Sequence, residues 1–126
     1  MKVISIQEPY ASYMANGYKV IETRKVWKYR YFGEIYIHAS STLYDVTSEK
    51  TLELLKDLKG DIHPSCIIAK AKLVKIEPIT EELIQYLKEN NPTEYKSGFY
   101  KVGRTALFFE NVEKIKPIPV KGHLGI

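Results

Sequence analysis

The hydrophobic pattern of the chain alternates short strand signals with short helix signals. Val3-Ile4-Ser5-Ile6 opens as a strand. Pro9 suits the first turn of a helix, where its missing N–H costs nothing. Tyr10, Tyr13 and Met14 follow at i, i+3 and i+4, and Gly17 stands where a left-handed cap ends such a helix. Val20 to Arg24 carries β-branched residues and reads as extended. Glu34 to Ala39 alternates, with Ile35 and Ile37 inward and Glu34, Tyr36 and His38 on the other side. Thr47 or Ser48 caps a second helix, with Leu52, Leu55 and Leu58 near one face and Gly60 at its end. Cys66 to Glu77 is the longest strand signal. Its second half is apolar on both parities, which predicts a bend or bulge near Leu73. Thr80 starts a third helix on Leu83, Ile84 and Leu87, which stops around Asn90-Asn91-Pro92. Tyr95 to Gly103 reads as a polar connection and Ala106 to Phe109 as a buried strand. Val112 to Ile115 continues as strand or turn, and Pro117 and Pro119 hold the tail extended.

Composition narrows the class. The chain has 126 residues, enough for one domain with a real core, and 44% hydrophobic with 27% charged residues is ordinary for a folded protein. A single cysteine, Cys66, allows no internal disulfide and points to a reducing compartment. Cys66 is expected to be a small buried hydrophobe. No apolar run approaches the roughly 20 residues that span a bilayer. Met1-Lys2 leads straight into the first strand without a signal-peptide pattern, so the expected location is cytoplasmic. His38, His63 and His123 are scattered, and there is no phosphate loop, so no metal or cofactor is expected. The net charge of +4 suits a polyanionic partner. The ten tyrosines either stack bases or fill the edges of a small core.

One stretch has more charge than folding requires: Gly17-Tyr18-Lys19-Val20-Ile21-Glu22-Thr23-Arg24. On a strand, Glu22 and Arg24 point to the same side. Lys19 joins them only from a helix-to-strand turn, which is where it is expected. The alternative is a solvated ion pair worth about 0–1 kcal/mol. Residues 25–32 then alternate basic and aromatic groups. Lys28 and Arg30 share one parity, and Trp27, Tyr29 and Tyr31 share the other. This is either a lip for phosphates and a base, or a half-buried strand or loop. Lys96, Tyr100, Lys101 and Arg104 form a second possible edge of this kind.

The pattern G-x-K-x-x-E-x-R resembles the signature of the ASCH family, in the PUA-like superfamily. Ser5-Ile6-Gln7-Glu8-Pro9-Tyr10-Ala11 resembles that family's lead-in, and Pro117 to Gly125 is similar to its ending. With the elements above, the resemblance implies an α+β, PUA-like fold: a small curved β-barrel of five or six strands with about three peripheral helices, one ASCH domain over residues 1–126. It implies an RNA- or nucleotide-binding module. Lys19 and Arg24 hold phosphate, Tyr10 or an aromatic such as Trp27 stacks a base, and Glu22 accepts from a base or orients Arg24. Gln7 and Lys121 complete the cleft, and His38 ends a strand where relatives often carry a histidine.

The resemblance also implies an alternative. Some small members are amidohydrolases of acylated cytidine nucleosides, and others are linked to RNA cleavage, with the signature lysine catalytic. Lys19 and Glu22 would then be the catalytic residues. Those enzymes have threonine at the position of Glu22, and a carboxylate there is expected to raise the pKa of Lys19. Their further glutamate has candidates in Glu81, Glu82 and Glu89. No long exposed apolar helix face indicates a protein partner.

Overall fold

The computed structural model describes residues 2–44 and 47–120. In chain order the elements are β1 (Val3–Glu8), α1 (Tyr10–Ala15), β2 (Ile21–Arg24), β3 (Gly33–Leu43), α2 (Glu49–Leu58), β4 (Cys66–Pro78), α3 (Glu81–Asn90), α4 (Pro92–Lys96) and β5 (Thr105–Pro119). The strands form one five-stranded sheet in the order β1-β3-β4-β5-β2. β1 runs parallel to β3, and the other neighbours are antiparallel. The sheet curls into a half-barrel, as expected for a PUA-like α+β fold. Its edge strands, β1 and β2, bound an open seam.

Curvature comes from irregular pairing. Register slips between β4 and β5 at Ile67/Ala69, Lys70/Lys72 and Leu73/Lys75. Each extra residue bends its strand and increases the local twist. The bend expected near Leu73 is therefore present. The concave side holds Ile4 and Ile6 of β1, Ile35 and Ile37 of β3, Leu73 of β4, and Leu107 and Phe109 of β5. Small Ala39, Ala69 and Ala71 leave room for Ala11 and Met14 of α1, which close this core. α3 packs through Leu83, Ile84 and Leu87 on Ile21, Ile79 and Ala106. α2 packs through Leu54 and Leu58 on Tyr13.

Four local expectations need correction. The buried face of α2 is Thr51, Leu54 and Leu58, while Leu52 is 53% exposed. A strict spacing of three falls short of the 3.6-residue turn, so Leu52, Leu55 and Leu58 drift off one face. Residues 25–32 are an irregular loop without strand parity. Cys66 is half-buried, because it begins β4 at the end of the sheet. The connection read over Tyr95–Gly103 begins with a fourth helix, α4. Asn91 caps it by accepting from the Glu94 amide at 3.2 Å, and Pro92 takes its first position. Pro92 thus ends one helix and starts the next.

Candidate functional site

The open seam is a cleft of about 420 Å³. Ser5 and Gln7 line it from β1, Tyr10 from α1, Lys19 from the turn, and Glu22 and Arg24 from β2. Phe99 and Arg104 line it from the connection before β5.

Lys19 enters this hollow because the chain reverses sharply after α1. The Gly17 amide donates to the Met14 carbonyl and the Tyr18 amide to the Tyr13 carbonyl, both at 3.0 Å. Gly17 has φ +80, a conformation that disfavours any Cβ. Beyond the turn, the Phe109 amide donates to the Val20 carbonyl at 2.9 Å and starts the β2–β5 pairing. Lys19 lies between these anchors with its side chain turned inward, 2% exposed. Its Nζ is 3.9 Å from Glu22 Oε1 and 5.2 Å from the centroid of the Tyr10 ring. The turn placement and the convergence of Lys19 with Glu22 are therefore both present.

A second buried carboxylate acts on the same ammonium through its charge. Glu94 of α4 is 1% exposed. It accepts from the backbone amides of Val20 at 2.6 Å and Ile21 at 3.3 Å. It also accepts from the Tyr100 hydroxyl at 3.5 Å. Burial raises the pKa of Glu94, opposed by the Lys19 charge and by these hydrogen bonds. Burial also lowers the pKa of Lys19; Glu22 and Glu94 oppose this, and Arg24 adds to it. Glu22 thus pulls the Lys19 pKa upward as expected, but the net direction is down. Complete desolvation of the ammonium outweighs the neighbouring negative charge. Lys50 of α2 donates to the Gly98 carbonyl at 2.7 Å, and burial followed by the Lys19 charge lowers its pKa too.

The guanidinium groups at the rim are held by fixed acceptors. Arg24 Nε donates to Glu22 Oε2 at 3.1 Å, and Nη2 donates to the Ser5 carbonyl at 2.7 Å. Arg104 Nη2 donates to the Thr23 carbonyl and hydroxyl, each at 3.3 Å, and Nε donates to the Phe99 carbonyl at 3.1 Å. The Arg104 guanidinium also lies 4.6 Å from the centroid of the Phe99 ring. The site thus offers two oriented planar cations, one buried ammonium, a shared carboxylate and the aromatic rings of Tyr10, Tyr44 and Phe99.

Five sequence candidates meet here: Gln7, Tyr10, Lys19, Glu22 and Arg24. Trp27 does not line the cleft. Its ring lies 5.8 Å from the Arg24 guanidinium and packs against the core. His38 stands behind the wall, its Nδ1 3.0 Å from Ser5 Oγ, and burial lowers its pKa. Lys121 lies outside the described residues. Of the second basic-aromatic edge, only Arg104 reaches the cleft; Lys96 pairs with Glu53 at 2.5 Å. Glu81, Glu82 and Glu89 are exposed on α3, and Glu94 is the additional carboxylate beside Lys19. The Asn91-Pro92-Thr93-Glu94 start of α4 was the available signal for it. Among the described residues, no group of three or more His, Cys, Asp and Glu is placed to hold a metal. No helix among them is long and apolar enough to cross a membrane.

No curated protein sequence matches the chain. The ASCH protein of Zymomonas mobilis is similar in structure, with a TM-score of 0.57 and 20% identity over 94% of this chain and 72% of that one. A serine-to-alanine mutant of that protein gives a TM-score of 0.56 at 20% identity, over 93% of this chain and 72% of its own. A tyrosine-to-phenylalanine mutant gives 0.55 at 19%, over 94% and 74%. At these identities the likeness is one of fold. The family model of the ASCH domain matches residues 4–119, nearly the whole chain. At a coarse level, membership of that family supports a PUA-like module that binds nucleic acid. With the fold and the family match in agreement, the chain belongs to the ASCH domain family.

Proposed function

We propose that the seam cleft binds one nucleotide unit of RNA. The observation that carries this reading is the buried Lys19 ammonium beside Glu22 and under the charge of Glu94, in a cleft also lined by the ordered guanidinium groups of Arg24 and Arg104. A site for bare phosphate has no use for a carboxylate in its floor. A nucleotide has both an anionic group and a base edge with N–H donors, so it answers both signs of charge. Arg24 and Arg104 face the phosphate, Glu22 accepts from the base, and Tyr10 or Phe99 offers a stacking face. A hollow of about 420 Å³ falls in the range that encloses a small ligand. The test is a titration of short RNA and of mononucleotides across a salt series. Stoichiometric binding that weakens with salt and is lost in Arg104→Ala supports the reading. Binding indifferent to Arg104 counts against it.

The lowered pKa of Lys19 favours a second reading. An ammonium that gives up its proton readily can serve as general base or nucleophile. In that reading the protein is a small amidohydrolase or ribonuclease for a modified nucleoside or RNA, with Lys19 catalytic and Glu22 beside it. Turnover of acylated cytidine or RNA at trace protein concentration decides for it. Binding without turnover decides for the module.

A further inference from the structure

Beyond the cleft, β2 runs directly into the loop of residues 25–32. That loop contains Lys25, Lys28 and Arg30 and no acidic residue. All three cations are exposed. The loop is irregular, yet two aromatic side chains pin it, since Trp27 and Tyr31 pack against the main core. The Tyr31 hydroxyl also donates to the Glu34 carbonyl at 2.5 Å. Between and beside these pins, Val26, Tyr29 and Phe32 are 61%, 50% and 57% exposed. Exposed aromatics interleaved with cations on an anchored loop form a surface for stacked bases and phosphates. The alternative, a loop serving only to connect β2 to β3, gives no reason to leave Tyr29 and Phe32 in water while Trp27 and Tyr31 pack against the core.

The loop is physically joined to the cleft. The Arg24 guanidinium at the cleft rim lies 5.8 Å from the Trp27 ring centroid. The Trp27 centroid is in turn 5.0 Å from that of Tyr29, with the rings edge to face at 65°. Lys2 adds another cation on the same side, 5.4 Å from the Tyr31 ring centroid. Glu34, the nearest acidic residue after the loop, pairs with Lys70 at 3.8 Å.

We infer that residues 25–32 are a track for the single strand flanking the nucleotide held in the cleft, so that the ligand is a single-stranded polynucleotide, not a free nucleoside. This rests on the reading of the cleft as a nucleotide site. Lys25, Lys28 and Arg30 contact successive phosphates, and Tyr29 and Phe32 carry flanking bases.

The test compares a labelled single-stranded RNA of about 12 nucleotides, its DNA counterpart and a mononucleotide. The proteins are wild type, the combined Lys25→Ala, Lys28→Ala and Arg30→Ala variant, Tyr29→Ala, and Arg104→Ala in the cleft. The charge variant is expected to weaken oligonucleotide binding and make the log–log salt slope shallower by about 2, while the mononucleotide affinity stays unchanged. Tyr29→Ala is expected to weaken the oligonucleotide by about tenfold. Equal loss for RNA and DNA assigns the track to single strands in general, and loss for RNA alone assigns it to RNA. Oligonucleotide binding at an unaltered slope in the charge variant overturns the inference. Loss in the loop variants while Arg104→Ala changes neither ligand overturns the cleft reading, and with it the joined track, and reduces the loop to a separate single-strand surface. Wild-type protein that binds no oligonucleotide overturns both.

Discussion

Arg24 and Ser5 tie the two unpaired edges of the sheet together. Arg24 Nη2 on β2 donates to the Ser5 carbonyl on β1 at 2.7 Å, while its Nε holds Glu22 at 3.1 Å. One side chain therefore sets the width of the seam and the orientation of the carboxylate in the cleft floor.

Arg24→Lys keeps the charge and loses the fork. A lysine cannot meet both acceptors at once in this geometry. The variant is expected to lose about 0.5–1.5 kcal/mol of stability for the missing hydrogen bond. Nucleotide affinity should fall more steeply than stability, because Glu22 is no longer held. Paired denaturation and binding titrations check this; unchanged affinity in a folded Arg24→Lys protein would contradict it.

Removing the buried ammonium leaves Glu22 held by Arg24 and Glu94 held by neutral donors, with less positive charge to offset their burial. Glu22 and Glu94 are 9% and 1% exposed. Lys19→Ala should destabilise the fold by about 3–5 kcal/mol, the range for breaking a buried pair from one side. Adding Glu22→Gln to Lys19→Ala should recover part of that loss. Chemical denaturation of the single and double variants measures both effects. No recovery in the double variant would mean that the lost charge compensation is not the cause.

Glu8 gives a pH signature with a definite sign. It is fully buried and accepts from the Ser12 amide at 2.7 Å and the Ser12 hydroxyl at 2.5 Å. Burial raises its pKa above the ordinary 4.5, against the pull of these bonds and of His63. The folded state therefore holds this proton more tightly than the unfolded state. The associated stability is fully present below the ordinary value and is lost as pH rises through the raised one. Relative to wild type, Glu8→Gln should gain stability as pH climbs through that window. Denaturant midpoints at a series of pH values give the difference; a flat difference would be the contrary result.

The signature was largely legible because its geometry is local. Strand alternation put Glu22 and Arg24 on one side, and Gly17 marked the turn that aims Lys19 inward. Glu94 was not legible, since it meets Val20 and Ile21 across 74 and 73 residues. Only the packing of α4 against the start of β2 brings them together. Residues 25–32 misled for another reason. Their alternation looks like strand parity, but the loop packs a half-buried Trp27 and Tyr31 against the core as anchors and exposes Tyr29 between them. His38 was assigned to the side opposite Ile35 and Ile37, yet it is 7% exposed beside a pairing irregularity after Ile37.

The central claim is that the seam cleft is where the nucleotide sits, and amide chemical-shift mapping tests it most directly. Titrating the labelled protein with a mononucleotide should move the amides of Ser5 to Gln7, Lys19 to Arg24, and Gly98 and Phe99. Shifts concentrated instead around the second hollow, about 340 Å³ between Glu34, Lys70, Lys72, Asn111 and Glu113, would contradict it.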